Sequence, residues 1–452
     1  MTVSLRPVMD PAIERHLSVL EKARENLPGA SQAWGGDLRS RAAEALARDG
    51  FPTTRIESWK YTDLRRVFRN EFAGQAQDIG ALDISALDLS KWRAGEAGPV
   101  LVFVDGHFSE ALSRLDKLPE GVRVMPLTAA LADGASGIEG LLGSVSPLES
   151  PGLTALNTAL MQDGAFIRID DDIELAEPIQ LLCITSAGFS GEMHLRHVVA
   201  LGRHAKAKIV QGHFAAGESS GLCNVVTEAA VGEGASLQIF KRQEESRTAW
   251  HIGLVQARLE RNAAFETFTL SSGGRTARNE VRVQLAGEGT NAVLNGLALA
   301  RDRQHCDNTT DVEHAMPQGT SHQLYKSVVD DNARSVFLGR ILVAKDAQQT
   351  DARQMNRNLL LSSGAQADSK PELIIHADDV KCAHGATVGD LDEDALFYLM
   401  SRGISADEAR GLLVRAFAEE IIEAISDDAV RAWLDEGLVG WLNGGGQQEK
   451  AA

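Results

Sequence analysis

Leu201-Gly202-Arg203-His204-Ala205, Val231-Gly232-Glu233-Gly234-Ala235 and Leu259-Glu260-Arg261-Asn262-Ala263 share one shape. Each has an aliphatic residue, three mostly polar or small ones, then Ala. Leu285-Ala286-Gly287-Glu288-Gly289 and Val329-Asp330-Asp331-Asn332-Ala333 repeat it with Gly or Ala at the end. The starts lie 30, 28, 26 and 44 residues apart, and each leads into a run where Val, Ile, Leu and Thr alternate with polar residues. That texture, dense from about Ala165 onward, reads as strand. A His, Gly or Asn before the small residue suits a left-handed turn position. The repetition suggests stacked β-coils, as in a β-helix, where each coil covers the edge of the one before. A β-sandwich with regular hairpins produces similar spacing, so the pattern alone leaves both open.

Helical texture flanks this block on both sides. Pro11 to Asn26 and Asp37 to Arg48 are rich in strong helix formers, with Pro28-Gly29 and then Gly50 and Pro52 as stop signals. Val100 to Val104 and Val122 to Leu127 read as short strands. Beyond Gly389, Asp392 is expected to cap a helix running through Arg402, with Gly403 as its stop. Ser405 and Glu408 form a capping box for a second helix. That helix is expected to bury Leu412, Leu413, Ala416, Phe417, Ile421, Ile422 and Ile425 on one side. Ser426 is expected to cap a third helix carrying Val430, Trp433 and Leu434. So short a helical cap cannot bury its apolar face alone and must lie on the β-body or on another protein.

The chain of 452 residues has a formal net charge of −18. Such an acidic balance argues against nucleic acid as the main partner, because phosphate binding wants basic surface. No apolar run is long enough to span a bilayer, and Met1 to Asp10 lacks the apolar core of a signal peptide. The expected location is therefore cytoplasmic, with no membrane partner and with reduced thiols. The four cysteines, Cys183, Cys223, Cys306 and Cys382, are far apart and form no C-x-x-C pair.

The chemistry-bearing stretch is Lys370 to Gly389, which contains His376, Cys382 and His384. In an extended chain residues i and i+2 share a face, so Cys382 and His384 present sulfur and nitrogen side by side. Thiolate and imidazole together suit zinc, copper or iron–sulfur chemistry. Two ligands leave a coordination shell incomplete, so the rest must come from elsewhere in the chain or from a partner. His376 shares their parity and joins them if the strand stays regular. The bland alternative is a half-buried strand end with an inert thiol and ring. His305, Cys306, His314 and His322 match no standard zinc spacing and read as structural or surface residues. Gly217-Glu218-Ser219-Ser220-Gly221 fits G-x-S-x-G formally, but strand texture follows where a nucleophile elbow needs a helix. No phosphate-binding loop occurs, so any ATP that drives the process binds to another subunit.

Lys370 to Gly389, followed by Asp394 to Ile404, closely resembles the C-terminal signature of the SufD branch of the SufB/SufD family, scaffold subunits of iron–sulfur cluster assembly. Gln348 to Leu361 resembles the region that SufB and SufD share, and Glu57 to Leu64 is similar to the N-terminal SufD motif. The absence of cysteine before Cys183 and the run Lys381-Cys382-Ala383-His384-Gly385 resemble SufD rather than SufB. The resemblance implies a mainly β fold with flanking helices, built on a right-handed parallel β-helix core. The corresponding division is a mostly helical N-terminal region with a few short strands over residues 1–150, the β-helix over 151–390, a C-terminal helical domain over 391–443 and a disordered tail over 444–452.

The same resemblance implies a non-catalytic scaffold in a complex with SufB and two copies of the ATPase SufC. SufB would pair with the β-helix end and SufC with the C-terminal helices. His384 matches the histidine implicated, with a SufB cysteine, in nascent cluster assembly, and Cys382 sits beside it. The implied cofactor is a transient iron–sulfur cluster shared with SufB, with no nucleotide bound by this chain. An open β-helix end also makes a homodimer of the isolated chain plausible. The rival from another class is a β-helical carbohydrate hydrolase or lyase, which predicts a groove lined by clustered carboxylates.

Overall fold

The computed structural model describes residues 10–68, 72, 88–115, 118–133, 137–148 and 153–444. The expected tail thus lies, beyond Gly444, outside the described residues, as do the first nine residues. The strand-rich block is a parallel β-solenoid and the sandwich alternative is excluded. From Ala165–Ile169 to Val380–Gly389 successive strands alternate between a nine-stranded and a ten-stranded sheet. Each turn gives one strand to each sheet, so sixteen strands make eight turns. Pairing within the solenoid is parallel and in register, as in the column Phe265, Ala292, Ser321, Ala352, Cys382.

The repeated five-residue units are the corners between the sheets. His204, Gly234 and Asn262 hold φ of 57°, 68° and 55° at the expected position. Gly234 is forced there twice over: its φ is left-handed, and a Cβ would sit 2.3 Å from the His204 ring of the previous turn. Two corners depart from the expectation. After Leu285 the left-handed residue is Gly289 itself, and after Val329 it is Asp331 rather than Asn332.

Inward side chains from both sheets fill the solenoid with an apolar core that runs from Leu101 to Ala377. Each outer face is covered by different helices. Pro11–Ala23, Ala33–Asp49 and Thr154–Leu160 pack with Trp59 over Leu222, Trp250 and Ile252 of the nine-stranded sheet. Ala406–Ile422 and Asp428–Gly444 pack over Phe240, Phe268, Leu297 and Val328 of the ten-stranded sheet. Three polar ties lock the second layer: Trp433 Nε1 donates to Trp92 O at 3.0 Å, Arg242 donates to Trp433 O at 2.8 Å, and the buried Lys326 ammonium donates to Phe417 O at 2.7 Å.

The capping box at Ser405 and Glu408 and the Asp392 cap form as expected. The third cap does not: Asp427, not Ser426, accepts from Val430 N–H at 3.0 Å and starts the helix Asp428–Gly444. The buried stripe of Ala406–Ile422 is also rotated. Val414, Ala418, Ile421 and Ile422 meet the sheet at helical spacing, while Leu412 and Ala416 face outward.

The two ends of the solenoid differ. At the first, Val100–Val104 is buried along its length and pairs antiparallel with His107–Phe108, and Val122–Pro126 pairs antiparallel with Ala165–Ile169. The buried Asp163 carboxylate accepts from the backbone N–H groups of Phe108 (3.2 Å), Thr128 (3.2 Å) and Gly164 (2.9 Å), tying this closure together. At the second end, Gln366–Ile375 and Val380–Gly389 are the terminal strands of the two sheets. Among the described residues nothing pairs with their outer edges.

Candidate functional site: the open rim of the solenoid

The run Lys370 to Gly389 is two strands rather than one. Gln366–Ile375 ends the nine-stranded sheet, a corner follows, and Val380–Gly389 ends the ten-stranded sheet. His376 lies in that corner, exposed, with its N–H donated to Val343 O at 2.9 Å. The break in regular strand removes the parity argument that joined it to the other two residues.

Cys382 and His384 sit on the last strand in register with Ala352 and Gln354, residues buried beneath the rim. Cys382 packs against the edge of the inner core and is half-buried, whereas His384 is exposed. Both are therefore at the mouth of the solenoid on one face of the strand. Burial raises the Cys382 thiol above its ordinary value, and the Asp351 carboxylate adds to this against a backbone hydrogen bond from Ala352. Ligation by this sulfur therefore requires an incoming metal to displace the thiol proton. Among the described residues no third His, Cys or carboxylate joins the pair at ligand distance.

Directly beneath lies a polar seam. Gln354 Nε2 donates to Gln323 Oε1 at 3.3 Å, and Thr310 Oγ1 donates to the same oxygen at 2.7 Å. Gln354 reaches across the lumen only because residue 339 is glycine, where a Cβ would sit 2.0 Å from its amide nitrogen. Gln354 Oε1, Gln323 Nε2 and Ser369 Oγ are buried without a hydrogen-bond partner. Orphaned groups of this kind each cost about 1–3 kcal/mol.

The other sequence candidates separate in space. His305 bonds the Thr62 hydroxyl at 2.9 Å, Cys306 is buried among Ala277, Ala298 and Ala333, and the buried His314 bonds Ser321 Oγ at 2.9 Å. His322 is exposed. Ser219 is buried at a corner, 3.1 Å from Thr185 Oγ1, and the strand Leu222–Val231 follows, as a turn requires. A second group escaped the sequence reading: His213, Cys223, Glu245 and His251 converge inside the solenoid.

Two further features belong to the rim's surroundings. Lys370 on the penultimate strand pairs with Glu57, so the C-terminal stretch and the segment Glu57 to Leu64 meet. In that segment Trp59 is buried under Arg278, whose guanidinium stacks 3.9 Å from the ring centroid and pairs with Asp307 and Glu280. Beyond the last strand, the short helix Glu393–Ser401 buries none of its residues, and Phe397 is 73% exposed. Tyr398, Met400 and Leu412 are exposed with it.

The family profile described as "SUF system FeS cluster assembly, SufBD core domain" matches residues 183–417. The chain belongs to the SufBD family. The profile for the SufBD protein N-terminal region matches residues 12–181. Among its relatives is the iron–sulfur cluster assembly protein SufD of Escherichia coli strain K12, 32% identical over 414 residues that span 88% of this chain and 93% of the relative. An iron–sulfur cluster assembly SufBD family protein of Synechocystis is 31% identical and covers 91% of this chain and 92% of its own. SufD of Bacillus subtilis is 26% identical over 86% and 90%. The chain is thus an iron–sulfur cluster assembly protein of the SufBD family, homologous to SufD. Among the described residues no helix is long and apolar enough to cross a membrane.

Proposed function

We propose that this SufBD-family chain acts as a non-catalytic scaffold whose open rim supplies part of the coordination shell for a nascent iron–sulfur cluster. The single observation that carries the reading is the contrast of the rim with the rest of the solenoid. The last strand offers an unpaired edge, with half-buried Cys382 and exposed His384 on the lumenal face. An unpaired parallel edge is a template for another strand. A sister chain with the same solenoid, SufB, is the partner whose edge matches it, and it would contribute the missing ligands, a cysteine among them. The same edge also allows two copies of this chain to pair at high concentration when SufB is absent.

The exposed apolar group Phe397, Tyr398, Met400 and Leu412 is the proposed seat of the SufC ATPase. The helix Ala406–Ile422 packs on the solenoid strands Asn291–Ala300 and Thr320–Val329. ATP-driven approach of two SufC copies would therefore pull on the rim through these helices and open the site to iron and sulfide. This chain needs no nucleotide of its own in that scheme, and the cytoplasm is the proposed location. His384→Ala in the complex tests the assignment: complex formation stays intact and cluster yield falls. Full cluster yield in that variant would remove His384 from the mechanism.

A further inference from the structure

Inside the solenoid, remote from the rim pair in sequence and register, four donors converge from both sheets. Cys223 and His251 are register neighbours in the nine-stranded sheet. His213 lies on Lys206–Ala215 of the ten-stranded sheet, and Glu245 directly follows Ser236–Glu244 of the same sheet. One ligand atom from each lies within 4.8 Å of the others, and all four side chains are buried. Cys223 Sγ is 3.8 Å from His213 Nδ1, and His251 Nδ1 is 2.8 Å from Glu245 Oε1.

A tetrahedral zinc ion with bonds of about 2.0–2.3 Å sets its ligand atoms roughly 3.3–3.8 Å apart. Closing the shell therefore takes shifts of no more than about 1.5 Å in any ligand–ligand distance. The His213 ring is under-used as a polar group: Nε2 has no partner and Nδ1 has only the long thiol contact. Burying such a ring without a better partner is costly. The donor chemistry is nitrogen, nitrogen, sulfur and oxygen, which suits borderline divalent transition metals and not magnesium or calcium.

We propose that His213, Cys223, Glu245 and His251 form a lumenal site for one divalent transition-metal ion of the zinc type, separate from the Cys382–His384 rim. On binding, a metal–sulfur bond replaces the Cys223 S–H bond and the proton leaves to solvent. The thiolate and the Glu245 carboxylate then balance the two charges of the ion. Lys241 lies beside the site, with Nζ 2.7 Å from His251 Nε2 and 2.7 Å from Asn279 Oδ1. Its contact with His251 Nε2 places a polar partner on the ring nitrogen that faces away from the metal, the position whose partner orients a metal-bound imidazole. The four ligands reach the site from four successive strands and corners, so the ion would also pin adjacent turns of the two sheets together.

The test uses the full chain produced in medium supplemented with zinc or with cobalt, so that metal enters as the solenoid forms. The expected result is about one equivalent of metal per chain. The cobalt form shows a thiolate-to-cobalt charge-transfer band with tetrahedral ligand-field bands. Cys223→Ser removes the charge-transfer band, His213→Ala weakens retention against a chelator by roughly tenfold or more, and a Cys382→Ser/His384→Ala double variant keeps the band. Should Cys223→Ser fail to fold, the unaltered chain and the double variant still decide. A parent protein with no stoichiometric metal, or a thiolate band that vanishes in the double variant, overturns the proposal.

Discussion

The solenoid begins sealed and finishes bare. At its first end Phe103 is fully buried, antiparallel strands close both sheets, and Asp163 gathers three backbone N–H groups. At its last end Val388 is 53% exposed on an unpaired edge. The repeating unit is the same at both ends, so the difference lies in what was added. Single chains blunt their edge strands to avoid unwanted pairing. Among the described residues this is done at one end only, and the bare end is the one that carries a thiol and an imidazole.

The comparison breaks most readily at the closed end. Phe103→Ala is expected to cost about 3–5 kcal/mol, read as a lower urea midpoint. Val388→Ala should leave the isolated chain within about 0.5 kcal/mol of the parent. Equal losses at the two positions would mean that the rim is not free.

Acid should also remove the contribution of Glu192, which lies near the closed end. Burial works against ionisation of Glu192, but hydrogen bonds from His16 and His194 outweigh it and hold the carboxyl at about 2. A depressed carboxylate stabilises the fold fully above its ordinary value of 4.5, and that contribution disappears as the pH falls toward about 2. The span corresponds to about 3 kcal/mol. Denaturation midpoints measured across this window should fall for the parent and fall less steeply for Glu192→Gln.

At the open end the effects should appear in association rather than in stability. Val388→Lys places a charge on the edge and is expected to weaken pairing with the sister solenoid about tenfold, measured by equilibrium sedimentation, with an unchanged thermal midpoint. The smallest change is a count of thiols. Cys183, Cys223 and Cys306 are buried, and Cys382 is partly open. A thiol reagent should titrate one group in the folded isolated chain and all four after unfolding. Binding of the partner should protect that one group.

Much of the fold could be read from the chain because each corner repeats a local requirement. His204, Gly234 and Asn262 are residues that tolerate left-handed backbone, and the spacing between them is the length of a turn. Corners at Asp302, Gln318 and Gln349 were not legible. Gln has no local preference for that conformation; the stacked neighbours impose it. The parity of Cys382 and His384 was also readable, whereas the break at His376 was hidden because Leu373-Ile374-Ile375 continues the apolar run up to it. The outward turn of Leu412 could not be inferred from helical periodicity, which fixes a stripe but not which stripe meets the sheet. The lumenal group at His213, Cys223, Glu245 and His251 depends on contact across two sheets, and no local spacing encodes that.

Anaerobic reconstitution with iron and sulfide, on the isolated chain and on its complex with the sister solenoid and ATPase, tests the central claim most directly. The account predicts an iron–sulfur chromophore only in the complex, reduced by His384→Ala. A stoichiometric cluster held by the isolated monomer through Cys382 and His384, or undiminished assembly in the His384→Ala complex, would contradict it.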